Sequence, residues 1–391
     1  MTDILVFHNI LWSHYKGAVF SQLYRQAQAS GFTISFVQIA ETEKGSNSLS
    51  SVDLAIHQYP YQLLFSGCYE NISFLRKSLA LSGALLRHRP KVVVLPGFSD
   101  PAFWVLLLLG RLAGCRPILT FDSQRIDRPR FPFRELVKTI FVRLCDLGFT
   151  YGTKSKEYLQ ALGMAEQNIV VRVQAAVNDE VFSIYSTARQ SRQHIQKELG
   201  LKSRNFVYVG RLSHEKNVAM LLRSFARVPL PNRASWGLVI VGDGPLRNNL
   251  RELTASLELP DVVFVGGKAW REVPAILAAA DVLVLPSLSE AWGLVVNEAM
   301  ACGMPVIVSD HCGAAFDLVQ HGVNGFVFAA RSQDDLTNQL SAILLKEDRE
   351  LIAMGDASRR IIANFTPASA ARQMMTGFSR LLNADHSATQ R

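Results

Sequence analysis

Short runs of β-branched and aliphatic residues alternate along this chain with longer stretches whose apolar positions recur at helical spacing. In the first half Asp3–Phe7, Thr33–Val37, Val92–Leu95 and Pro117–Phe121 read as strands. In the second half Phe206–Val209, Leu238–Val241, Val262–Val265, Val282–Leu285, Pro305–Val308 and the FVF of 326–328 read the same way. The pattern predicts helices over Ala18–Ser30, Ala188–Leu199, Ala275–Ala280, Gly293–Ala301 and about Pro367–Leu382, with Gly31, Gly200 and Cys302-Gly303 as stops. Strand, loop and helix in repeated succession predict doubly wound α/β architecture. Ligands of such sheets lie beyond the carboxyl ends of the strands, so chemistry is expected in the strand-to-helix loops.

One such loop is richest in chemistry. From Pro286 to Asp310 the chain reads PSLSEAWGLVVNEAMACGMPVIVSD, with Ser287–Trp292 as loop and Gly293 opening a helix. A helix N-terminus presents unpaired N–H groups and partial positive charge, which suit phosphate. Glu290 and Glu298 flank that terminus. Both would repel phosphate, but both suit accepting hydrogen bonds from ribose or sugar hydroxyls. Together these features point to a nucleotide-sugar site. Taken alone, the two glutamates also fit ordinary solvated carboxylates beside a crossover helix.

Glu290-x7-Glu298 followed by AMACGMPVIVSD resembles the signature of retaining glycosyltransferases of family four. The likeness covers most of the chain and is strongest from Phe206 to Phe328. It implies the GT-B fold: two Rossmann-like doubly wound domains facing a central cleft. On this reading residues 1–177 bind the acceptor, helix 367–391 crosses back to them, and residues 178–366 bind the donor. Gln174–Phe182, QAAVNDEVF, takes the place of the family's N-G-V-D-x-x-x-F linker, keeping the terminal aromatic and losing the glycine. It is expected to be a hinge.

The resemblance also implies site residues. GRLSHEKN, Gly210–Asn217, places Arg211 and Lys216 on the donor diphosphate, with Gly210 leaving room for backbone contact. A transferase that works without a metal must neutralise the leaving diphosphate with fixed cations, and Arg and Lys do so without reorganising. No D-x-D pair is present to bring a divalent ion, so metal independence is expected, with a nucleoside-diphosphate sugar as donor. Gly293 and Leu294 are expected at the phosphate, Glu298 at the ribose, Glu290 at the sugar, Gly242 in the nucleotide cleft and Lys268 near the base, with Trp292 also among the donor-binding residues. In the first half, the loop His14–Gly17 occupies the place of the family's glycine pair, and Gly17 is expected to let substrate approach the backbone. Lys16 there is a departure from the family pattern. Asp122 stands where relatives often carry a histidine. It is read as a catalytic candidate, beside Glu290, Arg211 and Lys216. It would hydrogen-bond a sugar hydroxyl or stabilise positive charge on the sugar ring. A turn-capping aspartate at Ser123 remains an equal alternative.

Composition narrows the rest. A chain of 391 residues, 49% hydrophobic and 19% charged, fits two globular domains. No apolar stretch approaches the roughly 20 residues of a membrane span. MTDILVFHN lacks a basic, cleavable leader, and five cysteines without a CxxC pair fit free thiols, so a cytoplasmic protein is expected. His311-Cys312 has no partner at zinc-ligand spacing. The net charge is +8, and its densest basic run is Arg125, Arg128, Arg130, Arg134, Lys138 and Arg143. From Phe133 onward Leu136, Ile140, Leu144 and Leu147 recur at helical spacing. They are read as a core-facing stripe; the alternative is docking to the inner membrane surface, where lipid-linked acceptors sit. Basic residues here are not interleaved with aromatics, so nucleic acid is not expected.

The expected function is therefore transfer of a sugar from a nucleoside diphosphate to a glycan or lipid-linked hydroxyl with retained configuration, in surface polysaccharide or lipopolysaccharide assembly. A sugar-nucleotide epimerase and a catalytically idle sugar-nucleotide-binding subunit are the alternatives on the same scaffold.

Overall fold

The computed structural model describes residues 2–44, 52–125 and 131–388. Arg128 and Arg130 of the basic run, and the last three residues, lie outside them. The chain divides into two compact units, Met1–Ala175 with Pro367–Arg391, and Ala176–Thr366.

The first unit is built on seven strands, β1 (Ile4–Ile10), β2 (Ile34–Thr42), β3 (Tyr61–Cys68), β4 (Val92–Leu95), β5 (Arg116–Phe121), β6 (Leu147–Tyr151) and β7 (Ile169–Arg172). They pair in the order β3-β2-β1-β4-β5-β6-β7, and all are parallel. β4, VVVL, is buried at every position, as a strand covered on both faces must be. One face is packed by the helices Phe74–His88, Pro101–Leu112 and Pro132–Arg143. The other is packed by His14–Ala29 and by the long C-terminal helix Pro367–Ala388. That last helix buries Ala370, Ala371, Met374 and Phe378 against Val6, Val94 and Phe149. The Phe378 ring meets Phe149 edge-on at 5.4 Å, and Gln373 Oε1 accepts from Val173 N–H at 2.6 Å.

The second unit has six parallel strands, β8 (Arg204–Val209), β9 (Trp236–Val241), β10 (Val262–Gly266), β11 (Val282–Leu285), β12 (Val306–Ser309) and β13 (Gly325–Phe328). Their order is β10-β9-β8-β11-β12-β13. Each unit is thus a Rossmann-like doubly wound sheet, as the alternating pattern predicts. The strand order reverses between β1 and β4 in one and between β8 and β11 in the other.

Several expectations need correction. His8–Lys16 is not a single loop: β1 runs to Ile10, and the helix already starts at His14. The stretch read as linker contains the start of a helix, Asn178–Arg189, which a second helix, Arg192–Leu199, follows; Gly200 ends the latter at φ +67° as expected. The basic helix ends at Arg143, and Leu147 begins β6. Its buried residues are Phe141 and Val142, whereas Phe133 (75%), Leu136 (56%) and Ile140 (47%) are exposed. Phe133, Leu136 and Ile140 of the stripe read as core-facing point outward, because at about 100° per residue they lie roughly 80–180° round the helix from Phe141 and Val142, which meet the sheet, whereas Leu144 is half-buried and Leu147 buried.

Close backbone approach makes two helical glycines opposite in kind. A Cβ on Gly355, inside the helix Asp348–Ile362, would lie 2.0 Å from the Gly303 carbonyl oxygen, while one on Gly83 would meet nothing within 4 Å. Gly83→Ala is expected to stabilise by about 0.5–1 kcal/mol through helix propensity. Gly355→Ala is expected to destabilise by about 1–3 kcal/mol despite the same propensity gain, because the backbones must separate. Urea denaturation of the two variants checks this; equal signs would contradict the packing.

Candidate functional site

The loops at the second unit's switch point are held together by their own hydrogen bonds. After β8, Gly210 and Arg211 lead into the single turn His214–Lys216, and Asn217, at φ +54°, starts the next helix. After β11, Ser287–Trp292 leads to Gly293, whose φ of +93° forms the N-cap of the helix Leu294–Ala301. A side chain at 293 would be strained by that φ and would meet Leu285 Cδ2 at 2.9 Å and Cys312 Sγ at 3.0 Å. The two loops are tied where Leu288 N–H donates to the Glu215 carbonyl at 2.8 Å and Lys216 Nζ donates to Glu290 Oε2. The Glu290 backbone is fixed in turn, donating to the His311 carbonyl at 3.2 Å and accepting from Gly313 N–H at 3.0 Å.

These ties bring Gly210, Arg211, Lys216, Glu290, Gly293 and Leu294 to the wall of one pocket of about 420 Å³, with Glu215 and Val295 beside them. Arg211 is exposed, while Lys216 and Glu290 are largely covered. Two cations and the first turn of a helix therefore share a space with two carboxylates, Glu290 and Glu215. Phosphate fits the cationic side, and hydroxyl donors fit Glu290.

Four other expected residues do not line this pocket. The Trp292 indole is 5% exposed and donates from Nε1 to Asn297 Oδ1 at 2.7 Å, so it braces the loop from behind. A Cβ on Gly242 would lie 1.8 Å from the Gly210 carbonyl oxygen; glycine is required there by the neighbouring loop's backbone. Lys268 pairs with Glu272 at 3.4 Å, one turn apart on the surface. Glu298 sits four residues into the helix, half-buried, and loss of hydration pushes its carboxyl up to about 7 from an ordinary 4.5.

In the first unit, the ends of β1, β4, β5, β6 and β7 surround a more enclosed cavity of about 210 Å³. Asp122 lines it, exposed at its rim, together with His8, Tyr15, Lys16, Tyr151 and Arg172. The His8 ring is hydrogen-bonded to Gln38 Oε1 at 3.1 Å, and burial beside Lys16 pushes its pKa down to about 3. At Gly17 a Cβ would lie 2.8 Å from His57 Cε1, so the missing side chain makes room for that imidazole. Arg172 and Tyr151 escaped the sequence reading altogether. The signal was available in IVVR, an arginine closing an otherwise apolar strand.

Comparison with known proteins agrees with this geometry. Residues 190–361 match the family model described as glycosyl transferases group 1. The chain is 30% identical over 300 residues to sulfoquinovosyl transferase SQD2 of Arabidopsis thaliana, covering 72% of this chain and 56% of that one. It is 40% identical over 130 residues to the GDP-mannose-dependent alpha-(1-6)-phosphatidylinositol monomannoside mannosyltransferase of Mycobacterium tuberculosis, covering 31% and 33%. It thus spans about a third to a little over half the length of these two relatives. Among solved structures, Anabaena HepE in complex with UDP superposes with a TM-score of 0.75 at 18% identity, over 97% of this chain and 100% of that one. Residues 190–361 are thus similar to the glycosyl transferases group 1 family, and the chain that carries them has the GT-B fold.

Proposed function

We propose that this protein transfers a sugar from a nucleoside-diphosphate donor to an acceptor hydroxyl, retaining the anomeric configuration and using no metal. The observation that carries the reading is the meeting of Arg211, Lys216, Glu290 and the Gly293–Leu294 helix start in one pocket. Arg211, Lys216 and the helix N-terminus stabilise the diphosphate as it leaves, where negative charge grows most. Glu290 orients the sugar through a hydroxyl, and its ion pair keeps the Lys216 ammonium at a set position. The bond from the anomeric carbon to the phosphate oxygen breaks as the bond to the acceptor oxygen forms on the same face. The acceptor proton passes to the leaving phosphate, so no protein nucleophile is needed. Glu298 is the ribose candidate one turn further along the helix, and Asp122 serves the acceptor side in the first unit.

Assembly of a glycolipid or cell-surface polysaccharide is the proposed setting. The named activities of the plant and mycobacterial relatives support it, and so does one surface. The three helices on one face of the first sheet expose Leu75, Leu79, Leu108, Leu112, Phe133 and Leu136, all at 49% or more. Exposed Arg76, Arg87, Arg111, Arg134 and Arg143 lie on the same helices. Apolar side chains with arginines among them suit an anionic lipid surface. Among the described residues no helix is long and apolar enough to cross a membrane.

A panel of UDP, GDP and ADP without magnesium is expected to raise the melting temperature with at least one member. Saturation at a hundred times Kd corresponds to about 2.7 kcal/mol. Arg211→Ala/Lys216→Ala should abolish the shift. A flat panel, or a transfer product of inverted configuration, would overturn the reading. Vesicles of phosphatidylglycerol, but not phosphatidylcholine, should co-sediment the protein. Phe133→Ser/Leu136→Ser should weaken that binding severalfold; equal binding by both would remove the membrane role. For Glu298, the folded carboxyl holds its proton to about pH 7, whereas the unfolded one loses it near 4.5. Stability should therefore fall as pH rises through that window, and the fall should disappear in Glu298→Gln, which gains on wild type by pH 8. Parallel melting curves against pH would contradict this.

A further inference from the structure

The first unit's cavity contains two buried cations that the transfer reaction as described does not use. Lys16 is 8% exposed and Arg172 2%. Both lie against one aromatic ring: Lys16 Nζ is 4.1 Å from the Tyr151 centroid, and Arg172 Cζ is 4.1 Å from the same centroid. Among the described residues neither forms an ion pair. Arg172 Nη1 reaches only Met374 Sδ, at 3.1 Å, and its Nε has no hydrogen-bond partner; the Tyr151 hydroxyl has none either. Removing a guanidinium from water costs more than a contact with an aromatic face returns. Two like charges beside one ring add repulsion. Burial accordingly pushes Lys16 down to about 7, with Asp122 opposing, and Arg172 down to about 9. Among the described residues the ring and Asp122 offset this cost only in part. An oxyanion in the cavity would offset more of it, because it attracts both cations and accepts from the free Nε–H.

The rim limits what else such a ligand carries. Asp122 and Glu43 line the opening and are exposed. They would repel a second negative charge and accept from hydroxyls, so one anionic group on a polyol fits best.

We propose that this cavity binds the oxyanion of an acidic sugar acceptor, a carboxylate or a phosphate, between Lys16 and Arg172, with Asp122 reading a neighbouring hydroxyl. The proposal rests on the transferase reading only in calling this ligand the acceptor. The same chemistry could come from the donor's own diphosphate, and the experiment separates the two.

Calorimetric titration of the full chain with inorganic phosphate, glucose 6-phosphate, glucuronate and neutral glucose, in low-chloride buffer, tests it. At least one of the three anions should bind and glucose should not. Arg172→Met should weaken the anion at least tenfold while leaving UDP affinity within twofold, and Arg211→Ala/Lys216→Ala should do the reverse. Because Arg172 is buried without a partner, Arg172→Met should also keep or raise the melting temperature, whereas a bracing role would lower it. If Arg172→Met does not fold, Lys16→Met serves the same comparison. Anion binding lost in Arg211→Ala/Lys216→Ala and kept in Arg172→Met would assign the oxyanion to the donor and overturn the proposal. No anion binding by a chain that still binds UDP would overturn it too, leaving the donor site intact.

Discussion

The ion pair between Lys216 and Glu290 joins two loops that leave neighbouring strands 74 residues apart in sequence. With the Leu288 N–H bond to the Glu215 carbonyl it sets the spacing between a cationic loop and a helix N-terminus. Neither charge would hold its place alone. A half-buried lysine without an acid would drift toward solvent, and an unpaired glutamate would repel the phosphate this site is suited to hold. Paired, they divide the pocket into a phosphate side and a hydroxyl side. The glycines follow from the same constraint. Gly293 must adopt a left-handed φ to turn the chain into the helix, and Gly242 must lack a side chain so that the Gly210 carbonyl can pass.

Charge is handled differently in the two units. In the second, Arg211 stands in water, where its field is screened and its hydration is kept; Lys216 has an acid beside it. In the first, Lys16 and Arg172 lie out of water against an aromatic ring and, among the described residues, form no ion pair. A screened cation is cheap to keep but binds weakly by itself, so the second unit adds a helix terminus. A desolvated cation is costly to keep and binds strongly, and such an arrangement marks a place where a ligand completes the electrostatics.

Fold class and the main motifs were legible without coordinates, for reasons that are local. β4 and β11 are runs of Val and Leu that suit no other setting than a covered parallel strand. Gly200 and Gly293 mark a helix end and a helix start through backbone conformations other residues resist. Arg211, Lys216 and Glu290 stood in two recognisable motifs, and the fold brings both to one pocket. Less regular segments were lost: β3, YQLLFSGC, mixes polar and apolar positions, and β6 was absorbed into the helical spacing that began at Phe133.

By itself, the order of residues determined two doubly wound units and the cationic groups of the candidate site, because strand burial, helix termini and motif chemistry act over a few neighbours. Tertiary structure decided which way each side chain faces. It turned Phe133, Leu136 and Ile140 outward, put Trp292 behind its loop, and gave the space at Gly17 to His57. It also placed Arg172 against Tyr151, from the strand next door, and Lys16 against the same ring. Desolvation and pairing depend on neighbours distant in the chain, so no reading of spacing alone supplies them.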